Sequence, residues 1–267
     1  MTSRGAFREN SVNGAKYMTA PNIAAVHAFM ARPSGADGGG AAPARSLAYL
    51  EPVCGALGIA FEDLVFSEQV HGSAVLLVDE QTDAEHSAGQ PGGIDALITA
   101  ARGRALAVFT ADCVPILLYD PPSGAVGAVH AGWRGTAADI AGAAAAAMVR
   151  EFGCAPGDMR AAVGPCISRC CFETDGDVAD AMASLFPGGG AERSGVVRRA
   201  GDKFRVDLKA ANAALLERAG LGRANIAVSD ECTRCLSDKY WSHRASPGGH
   251  GLQAAIIAPA PPRRHTA

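Results

Sequence analysis

The sequence predicts a single α/β domain built on a mixed sheet. Six strand-like apolar segments follow one another closely between residues 64 and 130, and the connections between them are too short for helical crossovers. Helical patterns flank this sheet-rich centre, and no linker or internal repeat divides the chain. At 267 residues the chain is long enough to bury a core without a disulfide or a structural metal.

The first part of the chain is predicted to contain one helix and these six strands. Residues 1–22 are expected to form a loosely ordered extension before a domain over residues 23–258, and residues 259–267 a flexible tail. A glycine-rich loop is predicted from Pro33 to Pro43. Apolar residues at helical spacing predict a helix over residues 46–57 that ends at Gly58. The strands are predicted at residues 64–70, 74–78, 96–99, 106–110, 115–119 and 125–130.

The second part of the chain is predicted to alternate helices and strands. An alanine-rich segment predicts a helix over residues 136–152, with Asp139 in its first turns and Gly153 just beyond its end. The remaining predicted elements are a strand at 159–163, a helix at 177–185, an extended segment at 204–207, a helix at 208–219, and strands at 225–228 and 253–257.

Composition and charge exclude several classes of protein. Apolar residues make up 48% of the chain and charged residues 19%, which excludes disorder over most of its length. Lys plus Arg (24) and Asp plus Glu (27) nearly balance, so no strong basic field attracts nucleic acid or an anionic membrane. We find neither a signal-peptide pattern nor an apolar run of transmembrane length. We therefore expect a cytoplasmic protein, monomeric or homodimeric, with neither nucleic-acid nor membrane partners.

Three predicted strands end in turns that carry His71, Cys113 and His130. In a reducing compartment, cysteines are better explained as free thiols, metal ligands or nucleophiles than as disulfides. Zinc prefers imidazole and thiolate ligands, and three protein ligands leave a fourth position for water or substrate. The three residues thus indicate a shared zinc site, although their separation matches no short metal signature. The alternative is two turn histidines and a small buried apolar cysteine.

A candidate anion site begins at Trp133. A predicted helix N-terminus here places the backbone N–H groups of Gly135 and Thr136 beside the Arg134 guanidinium, which suits phosphate or carboxylate. Trp133 would stack on a planar ring or fill core. In the alternative, Arg134 pairs with a carboxylate such as Asp112, and Thr136 only caps the helix.

The other chemistry-bearing residues give weaker signals. The CxxC pattern at residues 232–235 would form a four-thiolate zinc site with Cys166, Cys170 or Cys171, but no second CxxC lies at a fitting distance, and buried free thiols are the favoured interpretation. Residues 240–244, Tyr-Trp-Ser-His-Arg, are expected either to line a substrate site or to pack within the protein. Ser242 lacks a nucleophile elbow, which disfavours a serine hydrolase. The histidines expected to be solvated are His27, His86 and His265.

Several segments together resemble one known family. They are SEQVHG (67–72), DALIT (95–99), FTADCVPILLYD (109–120), AVHAGWRGTA (128–137), GPCISRCCFE (164–173), DLKAAN (207–212) and CT…YWSHR (232–244). In their order and content they resemble the polyphenol oxidase, or laccase-domain, family, whose bacterial members are better described as purine nucleoside phosphorylases. The resemblance covers residues 60–258.

The resemblance implies a fold, an activity and a set of site residues. The fold would be a four-layer α/β/β/α sandwich with mixed sheets. The activity would be phosphorolysis of adenosine, inosine, guanosine and S-methyl-5'-thioadenosine with inorganic phosphate, with adenosine deamination as a second activity. Zinc, or copper in the alternative below, would be held by His71, Cys113 and His130. Candidate catalytic residues are Asp112, Arg134 and Glu173, and candidate substrate or phosphate contacts are Gln69, Arg134, Gly135, Thr136 and Arg244.

The sequence also departs from the family pattern. The N-terminal glycine-rich block is abbreviated, and Ala245 and Leu252 stand where the family pattern has arginines. Two cations that would contact phosphate or ribose are therefore missing, which bears on substrate preference.

Three other functions fit the same residues. A copper-dependent polyphenol oxidase would use the same His₂Cys ligand set, but oxygen reduction needs a further histidine cluster that seven histidines do not supply. A Cys/His hydrolase would use Cys113 as nucleophile and His130 as base. In a non-enzymatic alternative, the zinc is structural and the protein is a binding partner.

Overall fold

The computed structural model describes residues 7–33, 47–82, 93–190 and 195–259. The predicted tail beyond residue 259, most of the glycine-rich loop, His86 and His265 lie outside these ranges. Among the helices in the described ranges, none combines the length and apolar character needed to cross a bilayer.

A six-stranded mixed sheet contains both ends of the described chain. Its strands are β1 (Arg8–Val12), β2 (Ala15–Thr19), β3 (Val26–Met30), β4 (Leu64–Val65), β7 (Ala105–Thr110) and β15 (Gln253–Ala258). Their order in the sheet is β1-β2-β3-β15-β7-β4. Strand β15 lies at the centre, antiparallel to both β3 and β7, and β4 runs parallel to β7.

A second six-stranded mixed sheet contains the middle of the chain. Its order is β14-β10-β8-β9-β6-β5, and its central strands β8 and β9 are antiparallel, with Val114 opposite Ala131. The strands are β5 (Val75–Leu77), β6 (Ala96–Thr99), β8 (Val114–Tyr119), β9 (Val126–Ala131), β10 (Arg160–Val163) and β14 (Ile226–Val228). A small third sheet has the order β11-β13-β12, formed by β11 (Glu173–Thr174), β12 (Val197–Ala200) and β13 (Lys203–Val206).

The helices cover the outer faces of the two large sheets. They are α1 (Glu51–Ala56), α2 (Trp133–Ala137), α3 (Ile140–Phe152), α4 (Gly176–Ser184) and α5 (Leu208–Arg218), with short 3₁₀ turns at Leu47–Leu50, Phe61–Asp63 and Arg223–Asn225. The predicted helix over 46–57 thus begins as a 3₁₀ turn and becomes α-helical at Glu51, next to Pro52, whose fixed φ suits a first helical turn.

Three buried clusters separate the layers. One packs α3, α4 and α5 on the second sheet, for example Met148 and Leu216 against Ile116. The second lies between the two sheets, where Phe29 and Val108 pack with Leu117. The third packs α1 on the far face of the first sheet. Helix, sheet, sheet and helix follow in that order, which confirms the single-domain four-layer α/β/β/α sandwich.

The N-terminal segment is ordered where a loose extension is predicted. Residues 8–19 form the antiparallel β1–β2 hairpin, and Met18 is buried between the sheets. Asn13 and Gly14 connect the strands with positive φ values of 47° and 81°. An Asn-Gly pair between two short extended segments is the usual signal for a two-residue hairpin turn. The expectation of a loosely ordered segment is therefore wrong for these residues.

Two predicted elements are interrupted, each because of one aspartate. The helix over 136–152 is two helices, because Asp139 takes a left-handed conformation (φ 55°) and its side chain accepts the Gly142 N–H as the N-cap of α3. The strand over 64–70 ends at Val65, because the N–H groups of Val70 and Gly72 are bound by the Asp95 carboxylate instead of a neighbouring strand.

Candidate active site

His71, Cys113 and His130 converge where three chain segments meet. His71 lies in the loop after β4, Cys113 in the turn between β7 and β8, and His130 near the end of β9. The Cys113 sulfur is 3.8 Å from His71 Nε2, and the two imidazole rings are 4.8 Å apart between centroids. One ligand atom from each of the three lies within 4.8 Å of the others. His71 is exposed, Cys113 half-buried and His130 buried, so the cluster opens to solvent on one side.

Asp95, just before β6, orients two of the three candidate ligands. Its fully buried carboxylate contacts His130 Nδ1 at 2.7 Å. It also accepts the backbone N–H groups of Val70, His71 and Gly72 at 2.8–3.1 Å. With Nδ1 engaged, His130 presents Nε2 to the cluster, which is the usual carboxylate–histidine arrangement behind a metal ligand.

Cys113 and His130 shift each other's pKa. Burial alone would raise the pKa of Cys113, but the contacts with His130 and His71 outweigh it and lower that pKa to about 7. Burial likewise would lower the pKa of His130, but Asp95 and the Cys113 sulfur raise it to about 9. The Cys113 sulfur is therefore substantially a thiolate near neutral pH, the form that binds metals.

Gly132 and Gly135 permit the close approach of the surrounding segments. A Cβ atom on Gly132 would lie 2.7 Å from His71 Cδ2 and 3.2 Å from the Cys113 sulfur. A Cβ atom on Gly135 would lie 2.9 Å from the Gly72 carbonyl oxygen. Both contacts are too short for a side chain, so glycine is required where α2 begins beside the cluster.

The donor set fits a zinc ion. Tetrahedral zinc with ligand bonds of about 2.0–2.3 Å separates neighbouring N and S ligands by roughly 3.6 Å. The 3.8 Å separation between Cys113 sulfur and His71 Nε2 is close to that value, and Asp95 supplies the outer support that a ligating histidine needs. Two nitrogens and one sulfur leave a fourth position toward the open side.

Asp112 connects the trio to the C-terminal part of the chain. It has a positive φ of 84°, which turns its carboxylate away from β7. One oxygen accepts the Thr233 hydroxyl at 2.6 Å, and the other accepts the Ser242 hydroxyl at 3.0 Å and the Arg244 backbone N–H at 2.7 Å. Asp112 thereby holds residues 240–244 beside Cys113, and it does not pair with Arg134 through any contact in the described structure.

Arg244 contacts both Asp112 and Glu173. The Arg244 guanidinium donates to the Glu173 carbonyl oxygen at 3.0 Å and stacks on Phe172 at 5.6 Å. The Glu173 carboxylate is exposed and pairs with Arg205 at 2.8 Å. The structure therefore places the 171–173 turn against the Arg244 side chain.

Arg134 remains the exposed cation of the predicted anion site. Its guanidinium lies 4.3 Å from the Trp133 ring centroid, so the indole stacks on Arg134 itself. The helix begins at Trp133 rather than at Thr136. Thr136 is fully buried, its N–H bonds to the Gly132 carbonyl and its hydroxyl accepts from Asn212, so both groups already have partners within the fold and the phosphate contact through Thr136 stays a prediction.

The structure also shows the surroundings of Gln69 and Gly135, and it corrects the expectation for His27. The oxygen and the nitrogen of the Gln69 side-chain amide both form hydrogen bonds with the Phe109 backbone at 2.7 Å, so Gln69 positions the 66–72 loop. Gly135 is buried against the Gly72 carbonyl and is not the first residue of the helix. His27 is buried in β3 rather than solvated.

Comparison with known proteins identifies the family. A family model described as multi-copper polyphenol oxidoreductase laccase matches residues 40–260. The chain belongs to this laccase-domain family. A purine nucleoside phosphorylase of Deinococcus radiodurans is 36% identical over 254 residues, 91% of this chain and 93% of that protein. Adenosine deaminase RL5, from an unknown prokaryotic organism, is 39% identical over 193 residues, 70% of this chain and 72% of that protein.

Solved structures of family members share the fold. YlmD from Geobacillus stearothermophilus superposes with a TM-score of 0.84 at 30% identity and covers 96% of this chain and 99% of its own. A hypothetical protein YfiH from Bacillus licheniformis has a TM-score of 0.82 at 28% identity, with 94% and 98% coverage. This laccase-domain chain therefore has the family's architecture over nearly its full length.

Two features of the site differ from the favoured sequence interpretation. Asp95 has no predicted role, and its signal is an aspartate placed directly before a buried strand. Cys170, Cys171, Cys232 and Cys235 form a cluster of thiols, two of them exposed, where buried free thiols are predicted. The signal for that cluster is the adjacent Cys-Cys pair together with the single CxxC.

Proposed function

We propose that this laccase-domain protein is a zinc-dependent purine nucleoside phosphorylase. The observation that carries the proposal is the His71, Cys113 and His130 cluster, preorganised by Asp95 and followed directly by the exposed Arg134. Relatives that align with most of the chain bear the name purine nucleoside phosphorylase. The partners would then be a purine nucleoside and inorganic phosphate.

The proposed reaction transfers a ribosyl group from the purine to phosphate. A phosphate oxygen attacks C1′ as the C1′–N9 bond breaks, the bonding electrons leave with the purine, and the purine takes up a proton. The products are the free base and ribose 1-phosphate. An oxocarbenium-like transition state needs the anion held in line with the bond that breaks.

Arg134 and Arg244 are proposed to hold the anionic and polar parts of the substrates. Arg134 offers a planar pair of donors for phosphate, and its stacking on Trp133 restricts its orientation. Arg244 lies in the C-terminal segment, where its backbone N–H is held by the Asp112 carboxylate. Zinc at the trio would supply Lewis-acid polarisation of a substrate or water oxygen.

Asp112 and Glu173 remain the proposed acid–base groups. The three hydrogen bonds accepted by Asp112 favour a positioning role for it, through Thr233 and residues 240–244. Glu173 has the exposed carboxylate, held by Arg205. We expect Glu173→Gln to lower kcat for base release while zinc content stays unchanged. If Asp112→Asn shows the same fall in kcat but also loses zinc, Asp112 is the positioning residue.

The departures at Ala245 and Leu252 bear on which nucleoside is preferred. Both residues are exposed, and Leu252 has 45% of its surface in solvent. Without arginines at these positions, this part of the surface carries fewer cations and more apolar area. S-methyl-5'-thioadenosine, whose 5′ substituent is apolar, is proposed as a substrate beside adenosine, inosine and guanosine.

Adenosine deamination is the second proposed activity. It is favoured by the 39% identity to a relative named adenosine deaminase. In this reaction water replaces phosphate as the nucleophile and attacks C6 of the purine, and ammonia leaves. The metal position next to an acid–base carboxylate suits that chemistry.

One set of assays tests the proposal. Purified protein with known metal content is incubated with adenosine in the presence and absence of phosphate, and adenine and inosine are quantified. Phosphate-dependent adenine release that is lost in Cys113→Ser is the expected result. Adenine release that survives both Cys113→Ser and metal removal would overturn the zinc role.

The same assays separate the alternatives. A polyphenol oxidase would contain copper, absorb strongly in the visible range and consume oxygen. A Cys/His hydrolase would lose activity on alkylation of Cys113 but not on chelation. If the zinc is structural and the protein is a binding partner, adenosine should stay unchanged both with and without phosphate.

Arg134→Ala isolates the phosphate site. We expect the KM for phosphate to rise roughly tenfold to a hundredfold, because a charge-assisted contact is removed, with a much smaller change in the KM for the nucleoside. Arg150→Ala, which removes an exposed arginine in the last turn of α3, is the matched control. An equal loss of affinity for both substrates would contradict the anion-site role.

A further inference from the structure

We propose that Cys170, Cys171, Cys232 and Cys235 form a second metal site, a structural zinc held by four thiolates. This four-cysteine cluster is distinct from the His71, Cys113 and His130 cluster, and it uses no residue of the proposed chemistry. It joins two segments that lie about 60 residues apart in the chain, the turn after β10 and the turn after β14.

The sulfur positions match the edges of a zinc–thiolate tetrahedron. The Cys170 sulfur lies 3.7 Å from both the Cys171 and the Cys235 sulfurs, and the Cys171 and Cys235 sulfurs are 3.4 Å apart. The Cys232 sulfur completes a group in which all four lie within 4.8 Å of one another. Four sulfurs at Zn–S distances of about 2.3 Å would be about 3.8 Å apart.

The backbone holds the two segments together independently of the sulfurs. Cys166 and Cys232 form a parallel β-bridge, and the Thr233 N–H donates to the Cys166 carbonyl at 3.1 Å. The buried Lys209 ammonium donates to the Ser168 hydroxyl, 3.0 Å away. Its other bonds reach the carbonyls of residues 229 and 231 at 2.9 and 2.6 Å. The four-cysteine cluster is therefore presented by a preorganised pair of turns.

The surroundings favour sulfur in its anionic, metal-binding form. The Ser168 N–H points at the Cys232 sulfur at 3.3 Å, and the Arg234 guanidinium lies 3.8 Å from the Cys171 sulfur. Four thiolates around one Zn²⁺ carry a net charge of −2, and N–H donors to sulfur together with a nearby cation offset that charge. Cys166, the other cysteine of this region, instead directs its thiol to the Ile167 carbonyl.

Zinc binding in this cluster is balanced by proton release. Each thiol gives up its S–H proton as its sulfur binds the ion, so no oxidant or reductant takes part. Four ligands close the coordination sphere, which is the arrangement of structural rather than catalytic zinc. A disulfide would instead join only one pair and require an oxidant.

Thr233 connects the four-cysteine cluster to the candidate active site. Thr233 lies between the cysteines of the CxxC, and its hydroxyl bonds to Asp112 beside Cys113. Fixing Cys232 and Cys235 therefore fixes the segment that holds Asp112 in place. We expect loss of the second zinc to loosen residues 232–244.

Metal stoichiometry in three proteins tests the proposal. The intact protein, grown with zinc, should contain two zinc ions per chain by elemental analysis. Cys113→Ser should keep one, and its X-ray absorption spectrum should show sulfur ligands alone at about 2.3 Å. Cys232→Ser/Cys235→Ser should also keep one, whose spectrum shows mixed nitrogen and sulfur ligands. Cys154→Ala, which removes a buried thiol outside both clusters, should keep both ions.

Two results would overturn the proposal. One is a Cys113→Ser protein that contains no zinc and takes up no Co²⁺ into thiolate coordination. The other is a metal-free disulfide within the four-cysteine cluster, detected by mass spectrometry of protein purified without exposure to air. Because Cys113→Ser leaves the four cysteines intact, these readouts remain decisive even where the double variant does not fold. Neither readout depends on nucleoside turnover.

Discussion

Asp95 controls the geometry of the candidate metal ligands although it is not one of them. Its carboxylate accepts three backbone N–H groups of the 70–72 loop and contacts His130 Nδ1. One group thus sets both the position of His71 and the orientation of His130. His71 has a positive φ of 63°, and the three N–H bonds to Asp95 hold that conformation.

We expect Asp95→Asn to weaken zinc binding at the trio by about 10–100-fold, the usual effect of removing a carboxylate behind a ligating histidine. An amide would keep the shape but would not match the four donors. Competition with a chromogenic chelator measures the affinity. Asp120→Asn, at the opposite end of β8, is the matched buried control and should keep wild-type affinity. Equal affinity in the two variants would contradict the role of Asp95.

His27 gives the fold a dependence on pH. The Ala20 N–H donates to His27 Nε2 at 2.7 Å and Nδ1 lies 2.8 Å from the Ala25 carbonyl, so the neutral imidazole fits both partners. Burial lowers the pKa of His27 below its usual value. The neutral form is therefore favoured in the folded state, and the unfolded state binds more protons over the interval between the two pKa values.

We expect the stabilising contribution of neutral His27 to be fully present above about pH 6.5 and to decrease as pH falls toward the lower pKa of the folded state. Urea unfolding at pH 7.5 and 5.5 measures it. His27→Gln should show a smaller fall in the free energy of unfolding than wild type, whereas His243→Gln, an exposed histidine, should keep the wild-type fall. An unchanged fall in His27→Gln would exclude His27 as the source.

At the scale of elements, the start of α2 depends on the absence of a side chain at Gly132. Its φ of −68° is available to any residue, so only the approach of His71 and Cys113 requires glycine. This separates the effect of the side chain from any backbone strain.

We expect Gly132→Ala to displace His71 or Cys113 and abolish zinc binding at the trio, at a cost of about 1–3 kcal/mol in the free energy of unfolding from overpacking. Zinc content and thermal unfolding measure the two effects. Gly157→Ala, where a Cβ has open space, should change neither. A Gly132→Ala protein with full zinc content would show that the trio adjusts without cost.

The elements predictable from sequence are those whose pattern is local. The predicted strand over 96–99 is observed unchanged as β6, because its apolar run is buried on both faces. Cys113 lies in the turn after β7, as its local pattern predicts, whereas His71 lies in the loop well beyond the end of β4 and His130 lies within β9. By contrast, the break at Asp139 depends on a single left-handed residue, and the shortened β4 depends on Asp95, which lies about 25 residues away. Neither has a periodic signal.

At the scale of the whole molecule, the N-terminal hairpin is part of the first sheet. It pairs with β3, buries Met18 between the sheets, and Lys239 bonds to Glu9 at 2.8 Å from the C-terminal segment. The four-layer order was implied by family resemblance. The grouping of Cys170 and Cys171 with the CxxC is one alternative in the sequence, but choosing it over buried free thiols needs the topology that places the turns after β10 and β14 side by side.

We expect deletion of residues 1–20 to lower the Tm and promote aggregation, because β3 becomes an exposed edge strand and buried apolar surface is uncovered. Thermal unfolding and size-exclusion chromatography measure this. Arg8→Ala, which changes one exposed side chain of β1 and keeps the hairpin, is the control and should leave both unchanged. A soluble protein with wild-type Tm after the longer deletion would contradict a structural role for the hairpin.

The anchoring of the C-terminal segment by Asp112 is independent of most side chains in that segment. The carboxylate accepts hydrogen bonds from two hydroxyls and one backbone N–H, those of Thr233, Ser242 and Arg244. None of these contacts depends on the side chains of residues 240, 241 or 243–245. The side chains at these positions can therefore change without removing a donor to Asp112, provided that Thr233 and Ser242 are kept.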